Sequence, residues 1–124
     1  MKSILIVDDN LAVRRSLRAL LEQHADWKVC GEGENGREGI DKAQKLHPDL
    51  IILDLSMPVM NGFEAAIQLK RLMPAVPLLM LTTFETSQIS GAATMAGITT
   101  VKAKSGSTGD LIESVQALLD HTVE

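Results

Sequence analysis

The sequence has no second cysteine to pair with Cys30, no excess of basic residues and no apolar run long enough to cross a membrane. With one cysteine no intramolecular disulfide can form, so a reducing compartment is expected. Twelve Lys and Arg against 16 Asp and Glu leave a formal net charge of -4, which lacks the basic footprint of a nucleic-acid-binding domain. Any contact with DNA would need a region outside this sequence. The N-terminal apolar segment, residues 4–7, runs straight into Asp8 and Asp9 and is too short for a signal peptide or a membrane span. A cytoplasmic protein with no membrane contact is the expectation. Low-complexity segments and internal repeats are also missing.

What is present is the composition of one compact domain. The 124 residues are 45% hydrophobic and 23% charged, enough for a single core and too few for two. Residues 1–124 are read as one domain, with a linker expected to begin near His121. Leu50–Leu53 is a continuous apolar run, β-branched at its centre and opened by the turn signal His47-Pro48-Asp49. It reads as a central strand buried on both faces and ending in Asp54.

Residues 4–7 form a second apolar strand, also ending in carboxylates. Residues 11–24 then carry Val13, Leu17, Leu20 and Leu21 at helical spacing, with Arg14, Arg15, Arg18 and Glu22 assigned to the outer face. Asp9 and Asn10 are both suitable caps for this helix, and capping needs only one of them. Further strands are expected over Trp27–Gly33, 77–82 and 98–103. Helices are expected over Gly36–Leu46, 62–73, 87–96 and 110–121. Ile40, Ala43 and Leu46 should be buried in the first of these, and Phe63, Ala66, Ile67 and Leu69 in the second. The helix containing Ser90-Gly91 has few large apolar residues and should be the least stable. Strands alternating with helices over short connections imply a doubly wound α/β fold, a five-stranded parallel sheet in the order 2-1-3-4-5.

Such a sheet binds ligands beyond the carboxyl ends of its strands. There it assembles Asp8 and Asp9, Asp54, Thr82 and Lys104. Taken singly these have ordinary explanations: a helix cap, a strand-end hydroxyl, a solvated lysine. Together, crowded carboxylates raise one another's pKa unless a cation neutralises them. Mg²⁺ suits such a set, because it takes a few protein oxygens and keeps several waters. Asp9 and Asp54 are read as direct ligands, Asp8 as a direct or water-mediated one, and the Ser56 carbonyl as a further donor. An Asp beside a bound metal can act as a nucleophile toward a phosphoryl donor, with a lysine and a hydroxyl stabilising the transferred group.

In this order the residues resemble the receiver domain of two-component response regulators. The resemblance rests on Ile4-Leu5-Ile6-Val7-Asp8-Asp9-Asn10, on the run from His47 to Pro58 with Asn61-Gly62, on Leu81-Thr82, on Ala96-Gly97, and on Lys104 before the last helix. It spans the whole chain and implies a flavodoxin-like receiver fold. It further implies Asp54 as phosphoacceptor, Asp8 and Asp9 as the Mg²⁺ pair, Thr82 as the switch hydroxyl and Lys104 as the lysine that contacts the phosphoryl group. The implied phosphodonor is a histidine kinase or a phosphotransfer protein, and a homodimer is a further partnership in prospect. The implied activity is signalling through self-catalysed phosphotransfer and autodephosphorylation, not an enzyme acting on other substrates. The spacings from Asp54 to Thr82 and Lys104, and Ser105 where many receivers have proline, look most like receivers of LuxR/NarL-type regulators. Transcription would then be regulated through a C-terminal helix-turn-helix domain.

The sequence departs from the family pattern in places. Val101 replaces an aromatic residue that often rotates on phosphorylation, and Thr83 replaces a smaller Ala or Ser beside the switch hydroxyl. Ser56 and Phe84 occupy positions that in relatives modulate dephosphorylation by controlling the approach of water. Two rival classes fit less well: a phosphohydrolase would carry a second Asp where Ser56 stands, and at a flavin site Asp8-Asp9 would repel the phosphate. The alternative function is a pseudo-receiver that binds partners without phosphorylation, whose acidic site is usually broken.

Overall fold

The computed structural model describes residues 1–120, so the expected linker near His121 lies outside the described residues. The chain alternates β1 (Lys2–Val7), α1 (Leu11–Glu22), β2 (Trp27–Gly33), α2 (Gly36–Leu46), β3 (Leu50–Leu53), α3 (Gly62–Leu72), β4 (Leu78–Thr82), α4 (Thr86–Met95), β5 (Thr100–Ala103) and α5 (Thr108–Asp120). All strand pairs are parallel, in the order β2-β1-β3-β4-β5. This is the expected doubly wound sheet.

The continuous apolar runs follow from burial of both sheet faces, with side chains alternating between them. Ile4, Ile6, Leu50, Ile52, Leu79 and Leu81 join one core with Leu17 and Leu21 of α1 and Val115 and Leu119 of α5. Leu5, Val7, Ile51, Leu53, Leu78 and Met80 face the other way, into a second core with Ile40 of α2, Leu69 of α3 and Ala93 of α4.

Several boundaries and faces differ from the sequence reading. Arg14 is buried, not on the polar face, because it shares the stripe of Leu17 and Leu21 at positions i, i+3 and i+7. In α3 the buried stripe is Gly62, Ala65, Ala66 and Leu69, which leaves Ile67 on the flank, 45% exposed. In α2 the stripe of Gly36, Gly39, Ile40 and Ala43 ends before Leu46, which is exposed. The Ile98 amide bonds back to the Ala93 carbonyl at the end of α4, so β5 starts only at Thr100. Ser107 Oγ accepts the Asp110 amide at 3.0 Å, which starts α5 at Thr108. At the other end α1 stops at Glu22, and His24 stacks on Trp27 with ring centroids 3.9 Å apart.

Two glycines bracket the range of packing. Gly62 opens α3 against the end of β3, where a Cβ would collide with the Asp54 carbonyl oxygen and come within 2.8 Å of Met80 Cε. Gly91 lies in α4 with nothing within 4 Å of a Cβ there. That helix buries only Ala93, and its N-cap residue Glu85 makes no side-chain cap bond. It is the weakly anchored helix expected from its composition. Gly91→Ala should therefore stabilise the protein by about 0.5–1 kcal/mol. Gly62→Ala should destabilise it by about 1–3 kcal/mol or more, through overpacking against backbone. Thermal denaturation of the two variants checks both signs.

Candidate functional site

The register of the sheet builds the site. Val7 pairs with Leu53, so the next residues, Asp8 and Asp54, stand side by side at the carboxyl edge. The Asp54 amide donates to the Val7 carbonyl at 3.0 Å. On the other flank Thr82 pairs with Ala103, and the Lys104 amide donates to the Thr82 carbonyl at 2.8 Å. Residues from four distant segments thus share one rim.

Asp8 and Asp54 are both buried, 3% and 6% exposed, as is Thr82. Lys104 Nζ lies between the two carboxylates, 2.8 Å from Asp8 Oδ2 and 3.3 Å from Asp54 Oδ2. The remaining oxygens are also engaged: Asp8 Oδ1 accepts the Asn10 amide at 2.9 Å, and Asp54 Oδ1 accepts the Leu55 amide at 2.8 Å. Burial and the neighbouring Asp8 charge push the Asp54 pKa up, and Lys104 offsets only part of this. Burial works to lower the Lys104 pKa, but its two carboxylate partners overcome it and hold the ammonium above its ordinary value. One lysine against two carboxylates leaves a net negative charge, and Asp9 adds another.

Asp9 is exposed and takes no part in the helix cap, which Asn10 supplies by accepting the Val13 amide at 3.1 Å. The capping explanation for the acidic pair therefore falls away. One carboxylate oxygen from each of Asp8, Asp9 and Asp54 lies within 4.8 Å of the others. Hard, anionic oxygens at such separation, with one member open to solvent, fit a divalent cation that keeps part of its water shell.

The other expected residues fall around this centre. Thr82 Oγ1 accepts the Phe84 amide at 3.2 Å, so the hydroxyl is tied to the loop that leads into α4. Thr83 and Phe84 are exposed on that loop, and Ser56 is exposed on the loop after β3. Lys102, two residues before Lys104, points away to Asp110, 3.0 Å distant, and Lys104 is the lysine that reaches the carboxylates. The Lys104–Ser105 peptide is trans. Trp27 begins β2 opposite Lys2, at the far end of the sheet from the carboxylates.

Sequence reasoning missed the layer behind Asp8. Arg14 Nη1 donates to the Asp8 carbonyl at 2.6 Å, and Arg14 Nε meets Glu32 Oε1 at 2.8 Å. Arg18 Nε takes the other Glu32 oxygen at 2.9 Å. Burial works to raise the Glu32 pKa, and these two guanidinium groups overcome it and leave it lowered. The available signal was a charged residue on the apolar stripe of α1.

A doubly wound sheet with an acidic trio, a lysine and a buried hydroxyl at its carboxyl edge is the layout of an α/β domain that meets its ligand beyond the strand ends. Comparison with known proteins agrees. The family model for the response regulator receiver domain matches residues 4–116, and the chain belongs to that family. It is 39% identical over 113 residues to the response regulator protein VraR of Staphylococcus aureus, across 91% of this chain and 54% of VraR. The chain thus spans about half the length of the curated relatives it matches. Among solved structures it resembles a LuxR-family two-component response regulator from Aurantimonas sp. SI85-9A1, with TM-score 0.91, 27% identity, and coverage of 96% of this chain and 85% of that one. The isolated REC domain of RcsB from Salmonella enterica serovar Typhimurium, determined with the phosphomimetic BeF3-, aligns with TM-score 0.87 and 30% identity over 96% of this chain and 88% of that one. No helix among the described residues is long and apolar enough to cross a membrane.

The raised Asp54 pKa has a thermodynamic consequence. The folded protein binds this proton more tightly than the unfolded chain, so the ionised carboxylate opposes folding at neutral pH. In metal-free buffer Asp54→Asn should raise the melting temperature at pH 7. The gain should shrink as pH falls through the raised pKa toward the ordinary value of 3.8. An Asn variant that melts at or below the parent temperature at pH 7 would contradict this electrostatic picture.

Proposed function

We propose that this domain accepts a phosphoryl group on Asp54 and that the modified aspartate switches a partner-binding surface. The phosphodonor is the phosphohistidine of a histidine kinase or phosphotransfer protein. The observation that supports this most directly is Lys104 bridging Asp8 and Asp54 beside an exposed Asp9. That arrangement holds a buried carboxylate with its lysine partner already in place.

Asp54 supplies the nucleophilic oxygen: its bond to phosphorus forms as the bond from phosphorus to the donor imidazole breaks, and the histidine leaves. Asp8, Asp9, Asp54 and the Ser56 carbonyl would hold Mg²⁺, which when bound neutralises charge on the carboxylates and the phosphoryl oxygens. Lys104 is free to shift from the carboxylates to the phosphoryl group, replacing one anionic partner by a stronger one. Both this transfer and the later hydrolysis, in which water takes the phosphoryl group as inorganic phosphate and frees the Asp54 carboxylate, are self-catalysed, with Thr83, Phe84 and Ser56 controlling access at the rim.

Phosphorylation adds roughly -1.5 to -2 charge. Thr82 can turn its hydroxyl proton toward the new group, and its bond to the Phe84 amide carries the movement into the loop before α4. The weakly anchored α4 is the element most easily re-set by such a pull. By its likeness to LuxR-family regulators, the domain acts in the cytoplasm as the receiver of a transcriptional regulator. It reaches DNA through a helix-turn-helix domain beyond this sequence, with homodimerisation as an accompanying response.

Incubation with acetyl phosphate and Mg²⁺ should add one phosphoryl group by intact mass, and omission of Mg²⁺ or the Asp54→Asn substitution should abolish it. Absence of any adduct, with beryllofluoride also failing to bind, would favour the pseudo-receiver. Thr82→Ala should keep phosphorylation yet lose the phosphorylation-dependent change in partner affinity. Trp27 fluorescence should change little on adding Mg²⁺, because the indole sits at the opposite end of the sheet.

A further inference from the structure

Asp8 has its polar atoms engaged on every side. Its amide donates to the Gly33 carbonyl at 3.0 Å, its carboxylate takes the Asn10 amide and Lys104, and its carbonyl accepts Arg14 Nη1 at 2.6 Å. The last bond differs in kind from the others. The carbonyl of Asp8 belongs to the peptide plane that leads into Asp9, and Asp9 is the one member of the acidic trio that is exposed. Whatever holds that plane decides where the Asp9 carboxylate starts from.

Arg14 is itself held. It is 7% exposed, on the buried face of α1, and Glu32 grips its Nε while also gripping Arg18. Lys42 Nζ donates to the Glu32 carbonyl, tying the same residue to α2. The guanidinium is a planar fork, and here one edge binds the carboxylate of β2 while another nitrogen binds the Asp8 carbonyl. A buried cation this close to a cluster of carboxylates would by charge alone repel a second cation. Its geometry, in contrast, serves the cluster.

We propose that Arg14, braced by Glu32, is a positioning residue for the acidic pair: it fixes the Asp8–Asp9 peptide so that the Asp9 carboxylate completes the metal site. The inference rests on the reading of Asp8, Asp9 and Asp54 as Mg²⁺ ligands. Arg14 does not touch the ion or the phosphoryl group and acts only through the main chain of Asp8.

Position and charge predict opposite signs, which makes the test decisive. Mg²⁺ affinity is measured by isothermal titration calorimetry on the parent protein, Arg14→Met, Arg14→Lys and Arg18→Met, with folding of each checked by circular dichroism. Positioning predicts that Arg14→Met and Arg14→Lys both weaken Mg²⁺ binding by about 10-fold or more, the usual effect of removing a group that orients a ligand. Arg18→Met, which removes a Glu32 partner that does not reach Asp8, should leave the affinity unchanged. If charge were the whole effect, Arg14→Met would tighten binding and Arg14→Lys would match the parent. Either of those results, or equal losses in Arg14→Met and Arg18→Met, overturns the proposal. Should Arg14→Met fail to fold, Arg14→Lys carries the same comparison.

A second readout needs no metal. In the metal-free protein the Asp9 backbone amide should shift in its ¹H–¹⁵N resonance and exchange faster in the Arg14 variants, and not in Arg18→Met. A parent protein that binds no Mg²⁺ would overturn the site reading. The Asp9 amide would still decide whether Arg14 holds the peptide, and an unmoved amide would sink that half as well.

Discussion

The sharing of one ammonium by two buried carboxylates governs this structure. Asp8 and Asp54 cannot both sit buried and ionised side by side without compensation, and Lys104 supplies it by reaching across from the residue after β5. Full compensation would leave a quiet, stable rim. Instead a third carboxylate, Asp9, stands within reach, and Asp54 remains raised in pKa. The site therefore keeps an excess of negative charge, which suits a divalent cation.

The surroundings of this cluster divide into a stiff side and a soft side. On the stiff side Asp8 is clamped by β2, α1 and Arg14, and the Gly62 amide donates to the Leu55 carbonyl so that α3 starts hard against the end of β3. The residues that hold charge are thereby prevented from relaxing away from one another. On the soft side Thr82 is fixed in position, but its hydroxyl is tied to a loop leading into a helix that buries a single alanine. The charge that the proposed phosphorylation would add at Asp54 would meet rigid resistance in one direction and a yielding element in the other. The proposed switch needs that asymmetry, since a local change is amplified only where a packed element has a second arrangement of similar energy.

Much of the fold was legible because its signals are local and repeated. The unbroken apolar runs of β1, β3 and β4 can only be strands buried on both faces, and their alternation with amphipathic helices leaves one sensible sheet order. The errors fell where burial depends on a partner. Leu46 and Ile67 look as apolar as their buried neighbours, yet the stripe that meets the sheet passes beside them. Arg14 looks like surface charge, yet it lies on the buried stripe with Glu32 waiting across from it. Helix starts such as Thr108 were set by a cap, Ser107, whose hydroxyl could as easily have served a turn.

For the site, residue order along the chain was enough to bring the carboxylates and the hydroxyl to one edge, because a parallel α/β sheet delivers every strand end to the same rim. The sequence by itself thus determined the family of fold, the inventory at the carboxyl edge and the charge that edge must manage. Tertiary structure alone decided the long-range pairings: that Lys104 and not Lys102 bridges Asp8 and Asp54, and that Glu32 grips the buried Arg14, whose guanidinium reaches the Asp8 carbonyl. The physical reason is range. Periodicity and capping act over a turn or a strand and are written in neighbouring residues. The Lys104–Asp8 ion pair joins residues far apart in sequence, and only the sheet register brings them within 3 Å.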